Sequence, residues 1–180
     1  MATLEMLIGI PGSGKSYYSS SLRGKCEPDG SPVVISSDNI RKAINGTLQK
    51  QDNPGYIFGI AKKRVLTALY DNKYVILDAT NINRKDRKSW IEDIKLYVPN
   101  TYIKATVIAT PYEECIKQNN SRDEEKKVPA HAMERMHRRF KMPTYEEGFN
   151  EIYIHYNKPE YINNNEYILE QAPSETEIER

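Results

Sequence analysis

The chain has 180 residues, 38% of them apolar, and 26 lysines and arginines against 25 acids leave a formal net charge of +1. This suits one domain with a sizeable core, and the balanced charge excludes an indiscriminate polyanion binder, so any nucleic-acid affinity has to come from a local cluster. Cys26 and Cys115 lack metal or redox spacing and read as structural thiols of a reducing compartment; with no apolar run as long as a membrane span and no secretory signal at the charged start, a soluble, cytoplasmic protein without a membrane partner is expected.

The first apolar run, residues 4–8, is followed at once by Gly9-Ile-Pro-Gly-Ser-Gly-Lys-Ser16, which satisfies the phosphate-cradling pattern GxxxxGK[ST]. In that pattern successive backbone N–H groups turn toward phosphate oxygens, Lys15 reaches the outer phosphates and the Ser16 hydroxyl is a ligand for Mg²⁺. Gly12, Ser13, Gly14, Lys15 and Ser16 are therefore the candidates for binding a nucleoside triphosphate. A strand before the motif and a helix over residues 16–23 supply the context that the pattern requires. The helix adds its positive end to the site.

Further β-rich runs stand at 33–36, 74–78, 102–109 and 152–156, with helical stretches between most of them. One such stretch, 56–70, spaces Ile60, Ala61, Val65, Ala68 and Leu69 with the period of an amphipathic helix. The alternation predicts an α/β fold with a parallel five-stranded sheet, helices on both faces, and ligands at the carboxyl ends of the strands. After Tyr156 the chain turns polar and asparagine-rich. The expected division is a single domain over 1–157, including a lid at about 119–142, and an extension over 158–180 whose acidic end is expected to be disordered.

Three polar constellations follow those strands. In Ile35-Ser-Ser-Asp38-Asn-Ile-Arg41 the i, i+3 spacing puts a carboxylate and a guanidinium on one helical face. Either Asp38 only caps a helix and Arg41 is solvated, or Asp38 accepts the proton of an acceptor hydroxyl while Arg41 holds an anionic group on that acceptor. In Val75-Ile-Leu-Asp78-Ala-Thr-Asn81-Ile-Asn83 a buried strand ends on an acid placed to organise Mg²⁺. Asn81 either touches substrate or, like Asn83, caps the next helix. The basic run Arg84, Lys85, Arg87 and Lys88 reads as a solvated face.

The third constellation, residues 118–129, has the composition of a lid, with Arg122 the candidate to meet the transferring phosphoryl group. Its acids at 123–125 speak against gripping a long polyanion. Over 130–141, Met133, Met136 and Phe140 form a core stripe. Arg138 and Arg139 either face phosphates or are solvated. His131 and His137 lack a partner pattern, and Trp90 is expected to pack between helix and sheet.

Taken together, GIPGSGKS, SSDNIR, LDATN, the Asn119-Asn120 to Arg122 stretch, Val128-Pro129 and Arg139-Phe-Lys-Met-Pro-Thr-Tyr-Glu-Glu-Gly-Phe149 resemble the P-loop kinase domain of the polynucleotide 5′-kinases, of both phage and animal type, over residues 4–155. The resemblance implies that Lys15 and Ser16 bind ATP·Mg²⁺, with Asp78 beside the metal. Asp38 then activates the 5′-hydroxyl end of DNA or RNA, Arg41 holds the adjoining substrate phosphate, and Arg122 stabilises the transferring phosphoryl. Asn81 and Arg139 complete the implied substrate side. Asp78 stands two residues before Thr80, as in the animal type and unlike the phage type. No Asp-x-Asp-x-Thr phosphatase signature and no ligase lysine motif occur, so a stand-alone repair kinase is expected. Two other readings stand beside it: a related kinase acting on a small-molecule, sugar-nucleotide or tRNA-linked hydroxyl, and an ATP-binding switch. A switch needs no acceptor-activating base, so Asp38 beside Arg41 argues against it.

Overall fold

The computed structural model describes residues 1–23, 32–46 and 54–161. Cys26 and residues 162–180, to which the expected disordered tail belongs, lie outside the described residues.

Five strands, β1 (Thr3–Ile8), β2 (Val33–Ser36), β3 (Tyr74–Asp78), β4 (Tyr102–Ile108) and β5 (Glu151–His155), form one sheet in the order β2-β3-β1-β4-β5. Every pairing is parallel. The sequence-predicted runs coincide with these strands to within a residue at either end. Parallel neighbours need crossover helices, and those helices cover the sheet. Side chains on β1 alternate accordingly: Leu4, Met6 and Ile8 enter the larger core cluster, whereas Leu7 joins Tyr18, Ile76 and Ile108 in a smaller cluster.

The helices are α1 (Lys15–Arg23), α2 (Ser37–Asn45), α3 (Pro54–Tyr70), α4 (Arg84–Tyr97), α5 (Tyr112–Asn120) and α6 (Ala130–Arg139). In α3, Ile57, Ala61, Val65 and Leu69 are buried at a spacing of four. Ile60 and Ala68 of the predicted stripe are partly buried at its border. Trp90 of α4 is buried in the large cluster and meets Phe58 of α3 edge-on, with ring centroids 4.9 Å apart. Among the described residues no helix is long and apolar enough to cross a membrane.

One polar side chain is as buried as any leucine. Arg87 is 0% exposed and its guanidinium makes five hydrogen bonds, matching its five N–H donors: two to the Glu147 carboxylate, both at 2.8 Å, and one each to the carbonyls of Asn81, Lys141 and Met142. The basic run read as a solvated face is therefore corrected at this position. Arg87 points inward because its four-residue offset from Asn83 returns it to the sheet side of α4, where the 140–148 segment supplies acceptors.

Candidate active site

β1 ends at Ile8, and the chain wraps through Gly9 to Gly14 into α1. Gly12 and Gly14 adopt φ of +81° and +98°, in the left-handed region. Space makes the same demand: a Cβ on Gly12 would stand 2.3 Å from the Cys115 carbonyl oxygen, and one on Gly14 would stand 2.6 Å from Asn157 Nδ2. The loop is braced from behind. Thr110 Oγ1 donates to the Ser13 carbonyl at 2.8 Å, and Asn157 Nδ2 donates to the same carbonyl at 2.6 Å and to Thr110 Oγ1 at 2.9 Å. Across the loop the Gly9 N–H donates to the Thr80 carbonyl at 3.0 Å, joining it to the turn after β3. The Cys115 thiol, buried beneath the loop, is pushed up to about 12, chiefly by that burial, which suits the structural role expected of it.

Lys15 is 9% exposed, its ammonium donating to the carbonyls of Gly9 at 2.7 Å and Ile10 at 2.8 Å. Burial pulls its pKa down to about 8 against the attraction of Asp78. Ser16 Oγ donates to Asp78 Oδ2 at 3.0 Å. Asp78 is itself buried, and this raises its pKa, with Lys15 and the Ser16 hydrogen bond acting in the opposite direction. Two hard oxygen donors thus meet at the first turn of α1, a donor set of the kind Mg²⁺ takes alongside phosphate oxygens and water. Among the described residues no group of three or more His, Cys, Asp or Glu side chains could hold a metal by itself.

The acceptor-side candidates stand on α2 and the lid. Ser36, not Asp38, caps α2, its hydroxyl accepting from the Asn39 N–H. Asp38 is thereby left in the first turn, exposed, with its carboxylate 2.7 Å from Arg41 Nη1. Arg122 follows α5, and both Arg122 and Asp38 lie within electrostatic reach of Lys15 and Asp78. The structure thus gathers Lys15, Ser16, Asp78, Asp38 and Arg122 round one space, with Arg41 joined through Asp38.

Asn81 and Arg139 stand apart from that group. Asn81 is buried at a φ of +48°, its Nδ2 donating to the Leu7 carbonyl at 2.8 Å. Asn83 is the cap of α4 and accepts from the Asp86 N–H at 2.9 Å. Arg139 is exposed at the end of α6, two residues before the Lys141 N–H that donates to the Ile82 carbonyl at 2.8 Å.

Sequence reasoning missed the residues that hold this arrangement. Thr110 and Asn157 carry no motif and support the loop from 97 and 144 residues away. Asn119 is 2% exposed and brackets Val128, giving Nδ2–H to its carbonyl at 2.8 Å and taking its N–H at 3.0 Å, so the lid closes on its own base. Glu5, an acid in the middle of an apolar strand, was the available signal for a buried polar cluster; Tyr18 at 2.9 Å, Tyr74 and Thr106 all donate to it.

Residues 4–143 match a family model, AAA_33, described as an AAA domain. Over 154 residues the chain is 26% identical to the bifunctional polynucleotide phosphatase/kinase of Schizosaccharomyces pombe, covering 82% of this chain and 32% of that protein. The chain thus spans about a third of the length of this curated relative. A chain of the Pnkp1/Rnl/Hen1 RNA repair complex superposes with a TM-score of 0.60 at 27% identity, covering 74% of this chain and 42% of that one. The Mycobacterium tuberculosis APS kinase CysC, solved with AMPPNP and APS, has a TM-score of 0.62 at 14% identity, covering 96% and 98% of the two chains. That last likeness is one of fold.

Proposed function

Because the chain belongs to the AAA domain family and has a P-loop kinase fold with a nucleotide-binding loop, we propose that it transfers the γ-phosphoryl of ATP to the 5′-hydroxyl end of a DNA or RNA strand. The observation that carries this reading is the Asp38–Arg41 pair. At 2.7 Å it sets a carboxylate and a guanidinium together on the element beside the phosphate loop, in reach of Lys15 and Asp78. A nucleotide-binding protein without an acceptor has no use for such a pair. Relatedness at 26–27% to a polynucleotide phosphatase/kinase and to a chain of an RNA repair complex supports the choice of acceptor.

In this mechanism the loop amides, Lys15 and the start of α1 hold the triphosphate. Ser16 and Asp78 would hold Mg²⁺, which offsets charge on the phosphate oxygens when bound. Asp38 takes the proton of the attacking 5′-hydroxyl as the new O–P bond forms and the bond to ADP breaks. Arg41 leaves Asp38 for the phosphate adjoining that hydroxyl, and Arg122 approaches the transferring group, where negative charge accumulates. Arg139 lies along the acceptor path, and Asn81 retains Oδ1 for a substrate contact. Transfer is in line and without a covalent intermediate, so the residues contribute placement and charge.

Incubation with Mg²⁺ and γ-labelled ATP against 5′-hydroxyl DNA, 5′-hydroxyl RNA, nucleosides, APS and sugar nucleotides tests the reading. Label on a 5′ end of either nucleic acid is the expected result. Transfer to the small acceptors alone replaces it with the small-acceptor reading, to which the likeness to an APS kinase fold points.

A further inference from the structure

We propose that Lys42 is a second phosphate-binding residue for the acceptor strand, held by the lid carboxylate of Glu125, and that a polynucleotide exchanges that carboxylate for its own phosphodiester. This rests on the polynucleotide reading above. The lid carries three consecutive acids, and the structure separates them. Asp123 pairs with Lys126 at 3.7 Å and Glu124 pairs with Lys127, each partner three residues along the same segment. These two charges are absorbed within the lid. Glu125 reaches instead to another element, its Oε2 standing 3.4 Å from Nζ of Lys42 on α2.

The position of Lys42 gives that contact its meaning. It follows Asp38 by four residues and Arg41 by one, so the base, the first phosphate ligand and a second cation share one side of α2. Glu125 follows Arg122 by three residues, and Arg122 is the lid residue that lies within reach of Lys15 and Asp78. The Lys42–Glu125 pair therefore ties α2 to the lid on the acceptor side of the site. A strand whose 5′ oxygen is at Asp38 and whose adjoining phosphate is at Arg41 continues past Lys42. Its next anionic group and the Glu125 carboxylate then compete for one ammonium. Both partners are more than a third exposed, at 54% and 39%, and pairs of this kind are weak, so the exchange is easy. An acidic lid is thereby compatible with a polyanionic acceptor, because its one outward-reaching acid is displaced by that acceptor.

Steady-state transfer is compared on two acceptors, a nucleoside 3′-monophosphate with a single phosphate and a 5′-hydroxyl oligonucleotide with several. Lys42→Ala is expected to raise KM for the oligonucleotide about fivefold more than for the nucleotide, and to reduce the slope of log KM against log salt by about 0.7. Glu125→Gln, which frees the ammonium, is expected to lower KM for the oligonucleotide about twofold. That opposite direction is not what a folding defect produces. Equal effects of Lys42→Ala on both acceptors, or no change in oligonucleotide KM with Glu125→Gln, would overturn the assignment. A wild-type protein that phosphorylates neither acceptor refutes the polynucleotide reading itself, and this assignment with it. A wild type that phosphorylates both while Lys42→Ala matches it refutes this assignment alone.

Discussion

Lys15 combines two properties that conflict until a phosphate arrives: a buried ammonium and no full counter-charge. Its pKa of about 8, against an ordinary 10.5, follows from burial, with Asp78 only partly opposing it. The unfolded chain therefore binds more protons between about pH 8 and 10.5, and in that window this residue's contribution to stability improves as pH rises. Phosphate binding runs the other way. It stabilises the ammonium and raises its pKa, so ATP affinity is expected to fall as pH climbs through 8, with proton uptake on binding above it. Calorimetry in two buffers of different ionisation enthalpy measures that uptake directly. Asp78→Asn removes an attraction that raises the Lys15 pKa, and the loss of affinity should then begin at lower pH. A pH onset unmoved by Asp78→Asn would contradict the coupling of the two residues.

At the scale of elements, the 140–148 segment is tied to the turn after β3 by Arg87 and Glu147, a bidentate pair in which both side chains are 0% exposed. The Glu147 carboxylate also accepts the Thr144 N–H at 3.1 Å. Removing one partner leaves a buried charge uncompensated, and Glu147→Ala is expected to cost about 3–5 kcal/mol in urea denaturation. A loss under about 1 kcal/mol would mean that the guanidinium finds other acceptors or water. Neither residue was legible as structural in the sequence. Arg87 sits in a basic run with the composition of a solvated face, and its partner lies 60 residues on, with no local signal connecting them. The strands were legible because parallel strands covered on both faces are continuous apolar runs, and the caps of α2 and α4 followed ordinary side-chain rules.

Across the whole molecule, the order β2-β3-β1-β4-β5 explains why one site is made from distant motifs. β1 lies beside β3, so the phosphate loop and Asp78 meet at adjacent strand ends; β2 lies beyond β3, so Asp38 and Arg41 stand on the outer side of them. The lid follows β4 and reaches back over that space through Arg122. The residues that perform chemistry were legible because each belongs to a short motif at a strand end. Those that brace them, Thr110, Asn119 and Asn157, act through single tertiary hydrogen bonds and leave no pattern. The central claim is that the site has a donor half and a separate acceptor half, with Asp38 belonging to the second. It is tested by measuring ATP binding and label transfer to a 5′-hydroxyl oligonucleotide side by side for Asp38→Ala. ATP affinity within about twofold of wild type with transfer reduced by about 10²-fold or more is the result expected; near-normal transfer, or loss of ATP binding in proportion to transfer, would contradict it.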